Sequence, residues 1–183
     1  MIKKWKKNSS KYLLENKIFK MREDSVTSPK LGTDHNVWVM EVPTWVNIIP
    51  ITPQQEVVMV NQYRFGSEKA SLEIPGGMAD FGEDPKEAAI RELKEETGFE
   101  GNKVIEIGRV ESNPAIMSNH TYTYLVLDCE KSSNQDLDGT EDIDIIFTAI
   151  KTPIDPLPTS PRNILGLGKF HNKKPKKIAE YPR

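Results

Sequence analysis

The sequence contains almost no cysteine and no long apolar segment. Cys129 is the single cysteine among 183 residues, which excludes an internal disulfide and argues against a small disulfide-rich secreted domain. No run of 18 apolar residues occurs, and the lysine-rich N-terminus lacks the apolar core of a signal peptide. We therefore expect a cytoplasmic protein that does not cross a membrane.

Acidic residues are scarce in the last part of the chain. Residues 151–183 contain two acids against eight lysines or arginines, together with six prolines, whereas residues 1–150 carry a net charge of −8. The prolines between positions 153 and 161 prevent a regular helix, so we expect an extended or disordered basic tail at 151–183. Because few aromatic residues lie among the basic ones, binding of nucleic acid is not expected. Residues 1–150 are long enough for one domain.

Short runs of β-branched and aromatic residues, bounded by Pro, Asn, Gly and Asp, predict six strands. Apolar pairs within residues 3–25 indicate a further N-terminal hairpin, and one helix is predicted at 84–97. Strands before and after a single strong helix favour an α+β fold around a mixed sheet. The six predicted strands lie at about 37–42, 45–51, 56–64, 103–112, 121–129 and 142–150.

The predicted helix has clear start and stop signals. Asp84 is a good N-cap, Pro85 suits the first helical position, and Gly98 is a natural left-handed end. At 100° per residue, an apolar stripe forms on one side, and three carboxylates share the adjoining edge. These carboxylates belong to Glu92, Glu95 and Glu96.

An acidic helix edge is either a solvated surface or a cation site. Arg91 lies one turn before Glu95, where the two can pair, and it can also reach Glu83 in the preceding loop. Few other cations face the cluster, which favours a bound divalent ion. Mg²⁺ prefers hard oxygen ligands in octahedral geometry, and the glycines at 76 and 77 allow backbone and phosphate to come close. The pattern predicts a magnesium site, with Mn²⁺ as an alternative ion.

Residues 77–99, GMADFGEDPKEAAIRELKEETGF, resemble the complete Nudix box. Residues 62–64 and 72–77, together with Pro114 at 15 positions beyond Phe99, are similar to the ADP-ribose pyrophosphatase branch of the Nudix hydrolases. The resemblance covers roughly residues 15 to 150. It implies a Nudix fold, an α/β/α sandwich around a mixed sheet. It also implies a homodimer in which the N-terminal strands, within residues 1–36, reach the site of the partner.

The resemblance also implies roles for individual residues. The metal ligands would be Glu92 and Glu96, with Glu95 close by and the carbonyl of Gly76 as a further ligand. Arg91 and Glu83 would complete the catalytic set. The implied general base is Glu141, with Asp142 and Glu95 as alternatives.

Five residues are implied in binding the substrate. A diphosphate oxygen would be held by Arg64, because a guanidinium is well shaped for it. The adenine ring would lie between two aromatic residues, Phe19 and Trp38. Trp45 is expected in the core, although it is a rival for the stacking role. The five implied residues are Arg64, Glu73, Trp38, Phe19 and Pro114.

The implied activity is Mg-dependent hydrolysis of the diphosphate bond of ADP-ribose or a related nucleoside diphosphate sugar, giving a nucleoside monophosphate and a sugar phosphate. Two alternatives stay open. One is hydrolysis of another nucleotide, such as a dinucleoside polyphosphate, a nucleoside triphosphate or a capped RNA. The other is a Nudix-like module that binds nucleotides without turnover. The intact Arg91-Glu92 and Glu95-Glu96 pairs argue against the module, which would not need all four residues.

Overall fold

Twelve strands and one helix occur in residues 1–150, the part of the chain that the computed structural model describes. The predicted basic tail lies outside the described residues. The strands are β1 (Lys6–Glu15), β2 (Lys20–Thr27), β3 (Asp34–Glu41), β4 (Trp45–Pro50), β5 (Glu56–Arg64), β6 (Lys69–Glu73), β7 (Gly76–Met78), β8 (Phe99–Glu100), β9 (Lys103–Glu111), β10 (His120–Leu127), β11 (Glu130–Lys131) and β12 (Ile143–Ala149), and the helix is α1 (Pro85–Thr97).

The N-terminal residues form a three-stranded antiparallel sheet in the order β1-β2-β3. The turn between β1 and β2 is closed by Asn16, whose side-chain oxygen accepts hydrogen bonds from the N–H groups of Ile18 at 2.8 Å and Phe19 at 2.9 Å. The predicted N-terminal hairpin is thus confirmed. Both faces of β1 are exposed along its whole length.

Two further sheets carry the core. One has the order β7-β4-β10-β9, in which β4 and β10 are parallel and the other pairs antiparallel. The other is antiparallel, with β5 between β12 and β6. This mixture of parallel and antiparallel pairing confirms the predicted mixed sheet. Buried side chains from β4, β5 and β10 pack against α1, notably Val46, Ile48, Val58, Ala88, Ala89, Leu93, Tyr124 and Val126.

Helix α1 begins and ends where the sequence predicts. The Asp84 side chain accepts a hydrogen bond from the N–H of Lys86 at 2.9 Å, and Pro85 opens the helix. At the other end Gly98 has φ +72°, and its N–H donates to the carbonyl of Lys94 at 2.7 Å. Such a backbone conformation strains residues with a Cβ atom. The caps at the two ends therefore determine where the helix begins and ends, and with that which side of it carries Glu92, Glu95 and Glu96.

The α/β/α layering implied by the resemblance has one helical layer in the described residues, that of α1. No helix in this part of the chain combines the length and the hydropathy of a membrane span. Four short strands, β6, β7, β8 and β11, were not predicted, and two of them flank the site described next. The others match predicted positions within a few residues at each end.

Candidate functional site

A cleft of about 840 Å³ opens between the ends of β4, β5 and β7, the acidic edge of α1 and the loop 136–141. It brings together most of the site residues that the sequence predicts, although they are spread over more than seventy positions. The predicted residues that line it are Arg64, Gly76, Arg91, Glu92, Glu95, Glu96 and Glu141.

Arg91 organises the acidic edge of the helix. It binds Glu83 through two hydrogen bonds, Nε to Oε1 at 3.0 Å and Nη2 to Oε2 at 2.9 Å. Its Nη1 donates to Glu92 at 3.0 Å and to Glu95 at 2.8 Å, and Nη2 also donates to the carbonyl of Met78 at 3.1 Å. The hydrogen bonds to Arg91 hold the pKa of Glu83 below its usual range. One guanidinium therefore fixes three carboxylates and the loop before the helix.

Glu96 is the most deeply buried acid of the cleft, with 4% of its surface exposed. Its Oε2 accepts a hydrogen bond from the N–H of Gly76 at 3.0 Å. Burial, together with the nearby carboxylates of Glu92 and Glu141, raises the pKa of Glu96 to about 8, against the opposing effect of the hydrogen bond from Gly76. Burial likewise raises the pKa of Glu92, against the opposing effect of Arg91. Such a cluster is unfavourable when fully ionised, and a bound cation would relieve it.

A divalent cation fits this set of oxygens. The carboxylate of Glu92 lies so close to Gly77 that a Cβ atom at position 77 would displace it. No three His, Cys, Asp or Glu side chains among the described residues form a ready-made metal cage. Two carboxylates with a backbone carbonyl and waters are the kind of shell that Mg²⁺ accepts. The residues that would hold the ion are Glu92, Glu96 and the carbonyl of Gly76, with Glu95 alongside.

Glu141 reaches the cleft from the loop before β12. The loop turns tightly, since the N–H of Glu141 donates to the carbonyl of Asp138 at 2.8 Å and the N–H of Asp138 donates to the Glu141 carboxylate at 3.1 Å. The negative charge of Glu141 contributes to the raised pKa of Glu92 and of Glu96. Asp142, the alternative base, does not belong to the lining of the cleft, whereas Glu95 does.

Arg64 lines the cleft at the end of β5, and its guanidinium is paired with the carboxylate of Glu73. Its Nη2 donates to Glu73 Oε2 at 2.7 Å, and its Nε lies 3.2 Å from both oxygens of that carboxylate. The Arg64 guanidinium holds the pKa of Glu73 below its usual range. Glu73 itself is not part of the lining, so it acts on the cleft through Arg64.

Three predicted substrate residues lie away from this cleft. Phe19 lines a separate cavity of about 400 Å³ between the β1–β2 turn and the loop 79–83. Trp38 lies on β3 opposite Glu23 and is 54% exposed. Pro114 lies in the exposed loop between β9 and β10, in a turn closed by hydrogen bonds to the carbonyl of Asn113. Within one chain none of these three residues lines the cleft, although the cavity of Phe19 shares Asp80 with it and includes Glu83.

The cleft also contains residues that the sequence did not single out. Trp45 was weighed only as a rival for stacking, and its place in the lining depends on the pairing of β4 with β7, which sequence periodicity does not reveal. Two acids of the loop 136–141 were missed because an acidic loop is typical of solvated connections. The residues in question are Trp45, Asn47, Gln62, Met78, Asp136 and Asp138.

Comparisons with known proteins identify the family and the fold. The family model described as NUDIX domain matches residues 43–165. The methanol dehydrogenase activator of Bacillus methanolicus is 33% identical over 73% of this chain and 72% of its own length. The ADP-ribose pyrophosphatase of Bacillus subtilis is 26% identical over 62% of each chain. A crystal structure of an ADP compounds hydrolase superposes with a TM-score of 0.70, at 24% identity, over 80% of this chain and 79% of that one, which supports the fold.

Proposed function

The chain belongs to the Nudix hydrolase family, and from that premise we propose that it hydrolyses the diphosphate bond of ADP-ribose or a related nucleoside diphosphate sugar with the help of Mg²⁺. The observation that carries the proposal is the convergence of the Arg91-held carboxylates and Arg64 on one cleft. Relatives named as an ADP-ribose pyrophosphatase and as an ADP compounds hydrolase support the substrate class.

The chain's own residues would bind and orient the substrate. Arg64 would donate hydrogen bonds to a diphosphate oxygen, and Glu73 keeps its guanidinium turned toward the cleft. Arg91 keeps the carboxylates of Glu92 and Glu95 in place, so that little reorganisation is needed during the reaction. Bound Mg²⁺ supplies charge neutralisation on the diphosphate and lowers the pKa of water. The same acids would repel an anionic substrate in the absence of a cation.

The proposed reaction is an in-line displacement at phosphorus. A water oxygen forms a bond to one phosphorus atom while the bridging oxygen–phosphorus bond breaks, and Glu141 takes the water proton as general base. Its carboxylate lies in the cleft on a loop, where its position can adjust as substrate binds. For ADP-ribose the products are AMP and ribose 5-phosphate. Glu95 is the second candidate base, because it also lines the cleft.

A homodimer is part of the proposal. The N-terminal sheet exposes several large apolar side chains, which is unusual for a surface that stays in water. In a single chain Phe19 and Trp38 do not line the cleft, and a second copy of the chain would offer them a route to the substrate. Sedimentation velocity would test this, with a monomer at micromolar concentration as the contradicting result. The exposed side chains include Trp5, Tyr12, Leu13, Leu14, Val37 and Trp38.

A substrate panel tests the proposed function. It would contain ADP-ribose, other nucleoside diphosphate sugars, a dinucleoside polyphosphate, nucleoside triphosphates and a capped RNA, each assayed with Mg²⁺ for the wild type and for Glu96→Gln. We expect preferred turnover of a nucleoside diphosphate sugar and its loss in the variant. Preference for another class would support the alternative hydrolase. Tight ADP-ribose binding with no turnover of any compound would support the binding module.

The similarity to the methanol dehydrogenase activator favours a second candidate function, the stimulation of an alcohol dehydrogenase. The test adds the chain to a methanol dehydrogenase and measures the rate of methanol oxidation. Stimulation by the wild type but not by Glu96→Gln would connect this function with the hydrolytic cleft. An unchanged rate with both proteins would exclude it for the dehydrogenase tested.

A further inference from the structure

Gln135 stands directly before the loop 136–141 and lies outside the cleft lining. The amino group of its side chain donates to two main-chain carbonyls, that of Glu96 at 2.7 Å and that of Ile143 at 3.0 Å. We propose that Gln135 is a positioning residue, which fixes the loop so that Glu141 is held beside the acidic edge of α1. This inference rests on the proposed function, since it concerns the base of the same reaction.

The contacts of Gln135 require an amide that can donate twice. Both partners are carbonyl oxygens, which only accept hydrogen bonds, so the amino end of the side chain must face them. Both hydrogens of that amino group are then used within the protein, and the side chain has no donor left for a substrate. Gln135 is half-buried, and loss of its amide would deprive two carbonyls of a donor. The amide can therefore act on the reaction only through the loop.

The contact to Glu96 is one of two that attach the loop to the last turn of α1. The final carbonyls of a helix have no partner within the helix. Here the carbonyl of Glu95 accepts a hydrogen bond from the N–H of Asp136 at 2.9 Å, next to the bond from Gln135 to Glu96. Glu95 and Glu96 are the same residues whose side chains belong to the acidic edge. The main chain of that edge and the beginning of the loop are thus joined directly.

The contact to Ile143 joins the beginning of the loop to its end. Ile143 lies eight positions after Gln135 and is the first residue of β12, where it is paired with Gln62 of β5. It is buried, with 6% of its surface exposed, so its carbonyl belongs to a fixed part of the sheet. The tip of the loop keeps its own turn through the two hydrogen bonds between Asp138 and Glu141. One amide therefore bridges the helix and the strand on either side of the segment that carries the base.

Fixing the two ends of the loop should matter for the rate. Residues 138–142 are exposed, so packing restrains them little. Closing the loop at its base removes conformations that would otherwise have to be lost when the substrate binds. A misplacement of about 1 Å can cost on the order of 100-fold in rate. The amide of Gln135 should therefore affect kcat although it touches no substrate.

A double-mutant cycle separates positioning from a general effect on the fold. Steady-state kinetics with Mg²⁺ would be measured for the wild type, Gln135→Met, Glu141→Gln and the double variant, on whichever compound of the substrate panel the wild type hydrolyses best. Methionine keeps the length of the side chain but has no donor. The control is Asn134→Asp, which changes an exposed amide one residue earlier and should match the wild type.

In Gln135→Met we expect kcat to fall by about 10- to 100-fold, while KM and the Mg²⁺ concentration for half-maximal rate stay within about twofold of the wild type. In the Glu141→Gln background the same substitution should change kcat by less than about twofold, because no base is left to position. An unchanged kcat in Gln135→Met, a wild-type kcat in Glu141→Gln, or an equal loss in both backgrounds would each overturn the inference.

Hydrogen–deuterium exchange of the amides of residues 136–141, followed by mass spectrometry, gives a readout that is independent of turnover. Loss of the two hydrogen bonds should speed this exchange by about tenfold in Gln135→Met. Gln135→Asn is one methylene shorter and can reach only one of the two carbonyls, so it should show a smaller increase, and it covers the case in which Gln135→Met does not fold. Wild-type exchange in both variants would rule out the anchor. Faster exchange in a protein that hydrolyses no compound of the panel would contradict only the proposed function.

Discussion

The guanidinium of Arg91 and the carboxylate of Glu83 form a bidentate ion pair at 2.9 and 3.0 Å, which ties the loop before α1 to the acidic edge of the helix. The same guanidinium holds two further carboxylates, those of Glu92 and Glu95. Glu83 therefore acts on the cleft through Arg91. Through this pair, Glu83 would have the catalytic role that the resemblance implies although it lies outside the cleft lining.

Replacement of Glu83 by Gln should disturb the acidic edge without removing a metal ligand. Loss of such a supporting hydrogen bond typically costs about 10- to 100-fold in metal affinity or activity. We expect kcat to fall within that range and the Mg²⁺ concentration for half-maximal rate to rise. The control is Lys86→Gln, an exposed position on the first turn of α1. Wild-type Mg²⁺ dependence in Glu83→Gln would contradict a positioning role for the pair.

Glycine at position 77 should keep the carboxylate of Glu92 in its place in the cleft. A Cβ atom there would overlap the carboxylate of Glu92, whereas a Cβ atom on Gly66 meets nothing within 4 Å. We expect Gly77→Ala to displace Glu92 and to lower the rate at saturating substrate by at least about tenfold, in line with the sensitivity of catalysis to small misplacements. Gly66→Ala should keep wild-type kinetics. Comparable activity of the two variants would show that Glu92 does not need its position against Gly77.

Arg64 should act mainly in substrate binding. Lysine keeps the charge but loses the planar fork that fits a diphosphate, so Arg64→Lys should raise KM by about tenfold or more with a smaller effect on kcat. Glu73→Gln should raise KM less, because it weakens only the orientation of the guanidinium. Steady-state kinetics on ADP-ribose checks both. A larger KM effect in Glu73→Gln than in Arg64→Lys would contradict this division of roles.

The stability of the metal-free chain should depend on pH through Glu96. Its pKa in the folded protein is about 8, above the ordinary value of 4.5, because of burial. A raised pKa in the folded state means that the stabilising contribution is complete below about pH 4.5 and is lost as the pH rises through 8. Calorimetric melting in a chelator should therefore show that Glu96→Gln gains stability over the wild type between pH 5 and pH 8.5. Parallel melting curves for the two proteins across that range would contradict the assignment.

Local sequence chemistry is sufficient to predict α1 and its acidic edge. The cap at Asp84, the proline after it and the left-handed Gly98 define both ends of the helix, and the pairing of Arg91 with Glu83 and Glu95 follows from spacing alone. The acidic edge of the cleft is therefore predictable from one segment. Short strands are harder, because β6 and β7 have five and three residues and include a glycine pair, so neither shows clear alternation.

The walls of the cleft depend on pairings between distant segments. Arg64 meets Glu73 because β5 and β6 form a hairpin, and β6 was not predicted. Trp45 reaches the cleft because β4 pairs with β7 in a register that aligns it with Met78. Registers of this kind are set by tertiary packing, which periodicity in one segment does not report. The walls of the cleft were therefore less predictable than its acidic edge.

The most direct test of the account is a calorimetric titration of Mg²⁺ into the purified chain and into the double variant Glu92→Gln, Glu96→Gln. Binding of the ion to the acidic edge predicts a millimolar or tighter dissociation constant for the wild type and its loss in the variant. The account is contradicted if the wild type binds no Mg²⁺ at millimolar concentration, or if the variant binds the ion as the wild type does.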